Sequence, residues 1–362
     1  MNVNSQNFSS NRKPKNFNNP ERFIEGWYWV IPSHNLRVGE VKPVTILGRK
    51  LVIYRGKDKR AVTLDAYCPH MGAHLAGGKV EGNELRCFFH HWKFDSEGIC
   101  VDIPCLNEPL PIKLKTWPTA EKYGMIWVWT GEIPQQPIPF IPEWEEKDCD
   151  ITFGPRLLLK CHPNVVMINA IDAQHFNTVH KLSSEVVFEK QELEQNAIVF
   201  RNSTRGKNQS FFIKIIHPFY KNTVTYTICY WYGSTAILTI NSDYLHLNIM
   251  FPLRLIKGGK SESQTLLMNK KRKGILGWLY NQFVLLLTKI VGQYFFVGDS
   301  KIFQTIRFDL KTPIKADQSI MQLITHVERQ KPLMWGTWQE VRSQQAESKP
   351  KRERWQDNMV ND

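Results

Sequence analysis

Two short strings constrain this 362-residue chain more than anything else in it: Cys68-Pro69-His70 and, after sixteen intervening residues, Cys87-Phe88-Phe89-His90. Each string offers one soft thiolate and one imidazole. The pair suits a two-iron, two-sulfide cluster with both Cys on one iron and both His on the other. Neutral imidazoles lower the negative charge around such a cluster, so its potential lies above that of an all-Cys ferredoxin. The same four residues also make a Cys2His2 set for structural zinc. Zinc fingers, however, place Cys with Cys and His with His, whereas each string here mixes the two. The flanks, Leu64-Asp65-Ala66-Tyr67 ahead and Trp92-Lys93-Phe94-Asp95-Ser96-Glu97-Gly98 behind, read as strand, loop, strand, with Glu97-Gly98 as a turn. The strings favour electron transfer.

The length favours two domains, and a 42% hydrophobic content with 12 Trp can fill both cores. Of the five other cysteines, Cys100, Cys105, Cys149 and Cys229 have no metal or redox spacing. Cys161, beside His162, reads as a strand thiol. No disulfide framework is suggested, which points to a reducing, cytoplasmic home. Residues 1–22, rich in Asn, Ser and Lys and lacking an apolar run, read as a disordered basic tail, and 339–362 as a second polar tail.

The net charge of +13 has one local focus, Lys257, Lys260, Lys270, Lys271, Arg272 and Lys273, opposed only by Glu262. An apolar, aromatic run follows from Ile275 to Leu287. The segment 257–297 fits either peripheral membrane contact or a buried helix with a solvated basic approach, and the buried helix is the favoured reading. Asn281, Gln282, Lys289 and Gln293 interrupt the run too often for a membrane span. No nucleic-acid module is visible, so charge alone gives no nucleic-acid partner.

From Gly26 to Gly131 the pattern is short β segments: Val41 to Ile46, Lys50 to Tyr54, Ala61 to Tyr67, Val80 to Leu85 and Met125 to Trp129. Pro134, Pro137, Pro139 and Pro142 mark a linker. The second half predicts a strand at Ile151 to Lys160, one helix at Val165 to His180, and strands at Phe211 to Ile216, Thr223 to Trp231, Thr235 to Ile240, Tyr244 to Met250 and Ser263 to Met268. A long helix at Leu276 to Phe296 closes it. This is an α+β arrangement, an antiparallel sheet wrapped round long helices.

The first of these helices carries Asn169, Asp172, His175 and His180. Two His near an acid suggest the two-His, one-carboxylate triad of a non-haem ferrous site. On an ideal helix the two His diverge by about 140°, so the helix must bend or tighten between them. Asp172, one turn before His175, is better placed to hold that ring's other N–H than to bind metal. Asp299, just beyond the late helix, is the best third ligand, with Asp309 as fallback.

In order along the chain, Gly26-Trp27-Tyr28, Cys68-Pro69-His70-Met71-Gly72, Cys87-x-x-His90-x-Trp92, Gly98-x-Cys100-x-x-Ile103-Pro104, Gly124-x-Ile126-Trp127-x-Trp129, Asn169-x2-Asp172-x2-His175-x4-His180 and the late Asp resemble the oxygenase (alpha) components of Rieske non-haem iron oxygenases. The likeness covers about Gly26 to Arg329. It looks most like the branch of 3-ketosteroid 9α-hydroxylase oxygenase and cholesterol 7-desaturase (Neverland-type), with pheophorbide and chlorophyllide oxygenases as runner-up. Two positions depart from the family pattern: Phe88 replaces a frequent Pro and His91 a usual Gly. The spare imidazoles His74 and His91 are expected to bind no iron.

The resemblance implies an all-β Rieske domain over 23–133, followed by a helix-grip-like antiparallel sheet with long helices over 134–338. It implies a [2Fe-2S] cluster on Cys68, His70, Cys87 and His90, and a mononuclear Fe(2+) on His175, His180 and Asp299 with Asn169 nearby. It further implies O2 as co-substrate, a ferredoxin or flavin reductase fed by NAD(P)H, and a head-to-tail homotrimer. In that trimer Asp172 bridges His175 to the neighbour's His90. The implied reaction is hydroxylation or desaturation of a lipophilic, polycyclic, steroid- or terpenoid-like substrate. Aromatic-ring oxygenation and oxidative demethylation stay open. A Rieske electron carrier without oxygen chemistry is the alternative of a different class.

Overall fold

The computed structural model describes residues 15–142, 144–181, 186–194, 196–204, 224–232, 234–242 and 245–333. The expected strand at Phe211 to Ile216 and the tail 339–362 lie outside these residues.

The N-terminal half is built of eleven short strands in three small sheets. β1 (Trp27–Pro32), β11 (Met125–Trp129) and β10 (Thr119–Lys122) form one. β2 (Val41–Ile46), β3 (Arg49–Arg55), β4 (Ala61–Asp65) and β9 (Thr116–Trp117) form the second. β5 (Lys79–Glu81), β6 (Glu84–Arg86), β7 (Lys93–Phe94) and β8 (Cys100–Asp102) form the third. The span Val80 to Leu85 is a hairpin rather than one strand. Gly82, at φ 64, takes the left-handed turn conformation that glycine adopts most cheaply.

Strand β11 explains why the two halves are not independent. Successive side chains of a strand point to opposite faces. Ile126 and Val128 therefore enter the N-terminal core, while Met125, Trp127 and Trp129 enter a second core shared with Trp231, Met250, Leu266 and Met268 of the C-terminal half. Arg254 locks the seam. Its Nη1 donates to the carbonyls of Trp29 (3.0 Å) and Val30 (3.2 Å), it pairs with Glu262, and it lies 4.0 Å over the Trp29 ring.

The C-terminal half is a seven-stranded antiparallel sheet, ordered β12-β18-β17-β16-β15-β14-β13. Its strands are β12 (Cys149–Leu159), β13 (Glu189–Leu193), β14 (Ala197–Thr204), β15 (Val224–Trp231), β16 (Thr235–Asn241), β17 (His246–Ile256) and β18 (Lys260–Lys270). Sequence patterning missed β13 and β14. One long helix, α3 (Gly274–Thr305), lies across β12, β18 and β17. The remaining helices, α1 (Pro163–Asn169), α2 (Ala173–Thr178) and α4 (Gln318–Glu328), are short.

Three expectations need correction. The single helix over Val165 to His180 is two helices, broken at Ala170 to Asp172. Asp299 lies within α3, not beyond it, because that helix runs on to Thr305. The chain is also packed before residue 22. Phe17 is buried, Asn16 bonds the carbonyl of Gln330, and the backbone amide of Asn18 donates to the side chain of Asn164.

Candidate functional site

The break between α1 and α2 is held by tertiary hydrogen bonds. Carbonyls at and just beyond the end of α1 gain partners from outside the helix. Tyr230 Oη donates to the carbonyl of Met167 (2.6 Å), Tyr226 Oη to that of Ala170 (2.8 Å) and Ser319 Oγ to that of Ile171 (2.7 Å). These three positioning residues, two on β15 and one on α4, were not singled out in the sequence. They carry no local signal, since only the sheet brings them there.

Asp172 then starts α2. Its carboxylate caps the helix, accepting from the amides of Gln174 (2.9 Å) and His175 (3.4 Å). The amides of Val179 and His180 both donate to the carbonyl of His175, at 2.8 and 3.4 Å. That wider turn is the local adjustment the sequence required, and it swings both rings inward with centroids 5.0 Å apart.

His175, His180 and Asp299 converge. One ligand atom from each lies within 4.8 Å of the others, and all three residues are buried. Asp299 Oδ1 stands 3.1 Å from His180 Nε2 and 3.9 Å from His175 Nε2. Gly298 lets α3 come this close, since a Cβ there would sit 3.1 Å from His180 Cε1. Asp309, the fallback, is exposed and pairs with Lys311.

The donor chemistry fits a divalent metal. Asp299 Oδ1 is buried and accepts no hydrogen bond, a costly state for a carboxylate unless a cation is bound. His175 Nδ1 lies 2.7 Å from the backbone carbonyl of Asp172. A carbonyl only accepts, so Nδ1 carries the proton and Nε2 keeps its lone pair for a metal. Burial holds the His175 pKa below the usual histidine value, which also favours the neutral ring that ligates. The expected partner was the Asp172 carboxylate, but it stands 3.9 Å from that nitrogen, with 29% of its side chain exposed. Asn169 Nδ2 lies 3.4 Å from His175 Nε2.

The triad opens on an apolar cavity of about 210 Å³, lined by Phe176, Phe188, Tyr226, Leu238, Leu247 and Phe295 among others. Strands β15 to β17 supply one wall and α3 the other.

The first donor set sits at the tip of the N-terminal half. Cys68 and Cys87 are buried, and their thiols touch. Burial, with Cys87 alongside, pushes the Cys68 thiol up to about 12. Two adjoining buried thiols lose their protons when a metal takes their place. His70 and His90 are exposed, with ring centroids 4.6 Å apart, and His70 stacks on Trp92 at 4.5 Å. The thiols form one pair and the imidazoles another. Among the described residues, the only three His, Cys, Asp or Glu that meet tightly enough to hold one ion are His175, His180 and Asp299. Two-and-two is the pattern of a diiron cluster, not of tetrahedral zinc.

The spare imidazoles have other work. His74 Nδ1 accepts from the amide of Ala76 (3.2 Å). His91 takes φ 61, the left-handed conformation that explains a usual Gly at this position. Phe88, in place of the frequent Pro, covers Gly77. His162, beside Cys161, caps α1 through its Nδ1.

Residues 26–118 match the family model of the Rieske [2Fe-2S] domain. A 167-residue stretch is 36% identical to a cholesterol 7-desaturase of Bombyx mori, covering 45% of this chain and 37% of the relative. Another, of 168 residues, is 32% identical to a probable 3-ketosteroid-9-alpha-monooxygenase oxygenase component of Rhodococcus rhodochrous, covering 44% of this chain and 42% of the relative. The matched stretches thus span well under half of either relative. In fold, the chain is similar to apo dicamba monooxygenase, with a TM-score of 0.65 at 17% identity over 90% of this chain and 98% of the other. The chain therefore carries a Rieske [2Fe-2S] domain, has a fold similar to that of dicamba monooxygenase, and brings together a buried two-His, one-carboxylate set that could hold a metal ion. Its sequence relatives include cholesterol 7-desaturases, 3-ketosteroid monooxygenase oxygenase components and an aminopyrrolnitrin oxygenase of Pseudomonas fluorescens.

Proposed function

We propose that this protein is a terminal oxygenase component. It accepts electrons from a reductase or ferredoxin, itself fed by NAD(P)H, and uses O2 to hydroxylate or desaturate a lipophilic polycyclic compound of steroid or terpenoid type. The observation that carries the reading is the meeting of His175, His180 and Asp299 at one end of an apolar cavity, in a chain that also bears a Rieske domain. A pure electron carrier needs no such triad.

On this reading Cys68, Cys87, His70 and His90 hold the cluster, and His175, His180 and Asp299 hold the iron. The bound groups supply one-electron transfer and a metal face open to dioxygen. The chain supplies the rest. The Asp172 carbonyl fixes the His175 tautomer, and the apolar wall excludes water and offers no charge to a substrate. Asn169 presents an amide at the cavity's polar end. His70 and His90, flanked by exposed Met71, Phe88 and Phe89, make an apolar tip through which electrons arrive and leave. Asp172, part-exposed and next to His175, is the matching entry to the iron site on a neighbouring subunit of a closed, head-to-tail trimer. The cytoplasm is the compartment of this reading, in which Cys68 and Cys87 hold the cluster and none of the seven cysteines is in a disulfide. Most of the relatives' names point to a sterol or steroid ring system, and one names aminopyrrolnitrin.

The test is oxygen uptake by the reconstituted protein with a surrogate reductase, screened over steroids, terpenoids and simple aromatic acids. Uptake triggered by a polycyclic lipid, with an oxidised product, supports the reading. Uptake triggered only by small polar aromatics would replace the substrate class. No uptake with any electron source would leave a carrier.

A further inference from the structure

Helix α3 has two faces, and the fold accounts for one of them. Asn281, Val284, Leu285, Thr288, Val291 and Asp299 are buried beneath it. The opposite face carries Ile275, Leu279, Phe283, Leu286, Ile290 and Val297, all 49% to 78% exposed. At 3.6 residues per turn these six fall within an arc of about 80°. Leu276 (82% exposed) and Trp278 (55%) extend the stripe at its start. The buried helix expected from the sequence is thus buried on one side only. A continuous exposed apolar face of this length marks a place of interaction.

Charge identifies what covers it. From Lys270 to Gly298 the chain has no acid and five cations, Lys270, Lys271, Arg272, Lys273 and Lys289, all exposed. Four of them immediately precede the stripe, and Arg272 stacks over Tyr280 at 4.1 Å. A second copy laid on this face would set five cations against five, with no acid in the stretch to answer them. A membrane span is incompatible with the other face. Asn281 Nδ2 donates to Asp150 (2.6 Å) and to the carbonyl of Lys270 (2.9 Å), and its Oδ1 accepts from Asn269 (3.2 Å), tying the helix to the sheet.

We propose that this face docks on an anionic lipid bilayer. α3 lies along the surface with the apolar stripe in the acyl boundary, Trp278 at the interface, and the Lys270 to Lys273 cations among the phosphates. The placement deepens the functional reading. Phe295 and Phe296 line the cavity while Val297, next in the chain, faces outward. One helix therefore separates the candidate site from the bilayer in which a lipophilic substrate dissolves.

The test is co-sedimentation of the full-length, cluster-loaded protein with vesicles of phosphatidylcholine alone or mixed with phosphatidylglycerol. Binding to the mixed vesicles, weakened by salt, is the expected result. Lys270→Glu with Lys273→Glu should lower it on the order of tenfold or more. Ile275→Ser with Phe283→Ser should lower it comparably, while visible absorbance and oxygen uptake on detergent-dispersed substrate stay unchanged. Absence of vesicle binding, or equal binding by the wild type and both variants, overturns the proposal. So does a fall in oligomeric state in the apolar variant when the wild type binds no vesicle, because a second copy then covers the face. Loss of oxygen uptake in every form would instead strike the functional reading and leave the docking result standing.

Discussion

His175 donates its Nδ1 proton to the backbone carbonyl of Asp172, 2.7 Å away, and not to that residue's carboxylate. The carboxylate instead caps α2 and reaches toward the surface. One residue thus does two separable things: its main chain fixes the ring's tautomer, and its side chain starts the helix and faces outward.

The separation makes Asp172→Asn informative. Asn caps a helix about as well as Asp, and the main-chain bond is untouched, so stability should change by no more than about 0.5 kcal/mol. Iron content should hold. If the carboxylate bridges subunits, substrate-driven oxygen uptake should fall about 10- to 100-fold. A urea midpoint, a metal assay and an oxygen electrode give the three readings. Unchanged uptake would remove the bridging role.

Gly298→Ala probes the approach of α3 to the site. Alanine in a helix is worth up to about 1 kcal/mol over glycine. Here the new methyl would meet His180 Cε1 at 3.1 Å and Nδ1 at 3.3 Å, so the ring must give way. The expected outcome is a thermal midpoint near that of the wild type in the chelated protein, with iron affinity lower by about 10-fold or more. Iron titration with unchanged affinity would show that the His180 ring is free to move.

His162, which is not one of the triad, gives the metal-free protein a pH dependence. Burial pulls its pKa down to about 4, while its Nε2 lies 3.2 Å from the carbonyl of Asn19 and its Nδ1 accepts from the amide of Asn164. The unfolded chain protonates this ring near the usual pKa of about 6.5, and the folded chain does so only near 4. Stability is therefore complete above about 6.5 and declines as pH falls from there toward 4, by about 2 kcal/mol, the ring being only partly enclosed. Urea midpoints at both ends of that window check this. His162→Asn, which keeps a cap, should flatten the slope, and an unchanged slope would assign it to other groups.

The sequence was legible where one local rule decides the structure. Strands β2 and β11 fall where alternation of side chains put them, and the cluster loops lie between the strands their flanks predicted. The triad residues were also readable, because few His and Asp sit near one another in apolar surroundings. What escaped was tertiary in origin. The break at Ala170 to Asp172 is supported by Tyr226 and Ser319, which donate to its carbonyls, and by Tyr230 on Met167 just before it, and none of these is close in sequence. β13, with Glu189, Lys190 and Glu192, is a charged edge strand held by its pairing to β14, so no periodicity announces it. Gly298-Asp299-Ser300 looks like the end of a helix, yet α3 continues through it because the glycine is there for packing against His180.

On the proposed function one chain holds a diiron cluster and, apart from it, a mononuclear iron on His175, His180 and Asp299. Iron and acid-labile sulfide per chain, measured after anaerobic reconstitution in the wild type and in His175→Ala, test it most directly. The expected result is about three irons and two sulfides in the wild type, and about two of each in the variant with its visible spectrum intact. About two irons in both proteins would mean that the triad holds no metal, and the oxygenase reading would fall with it.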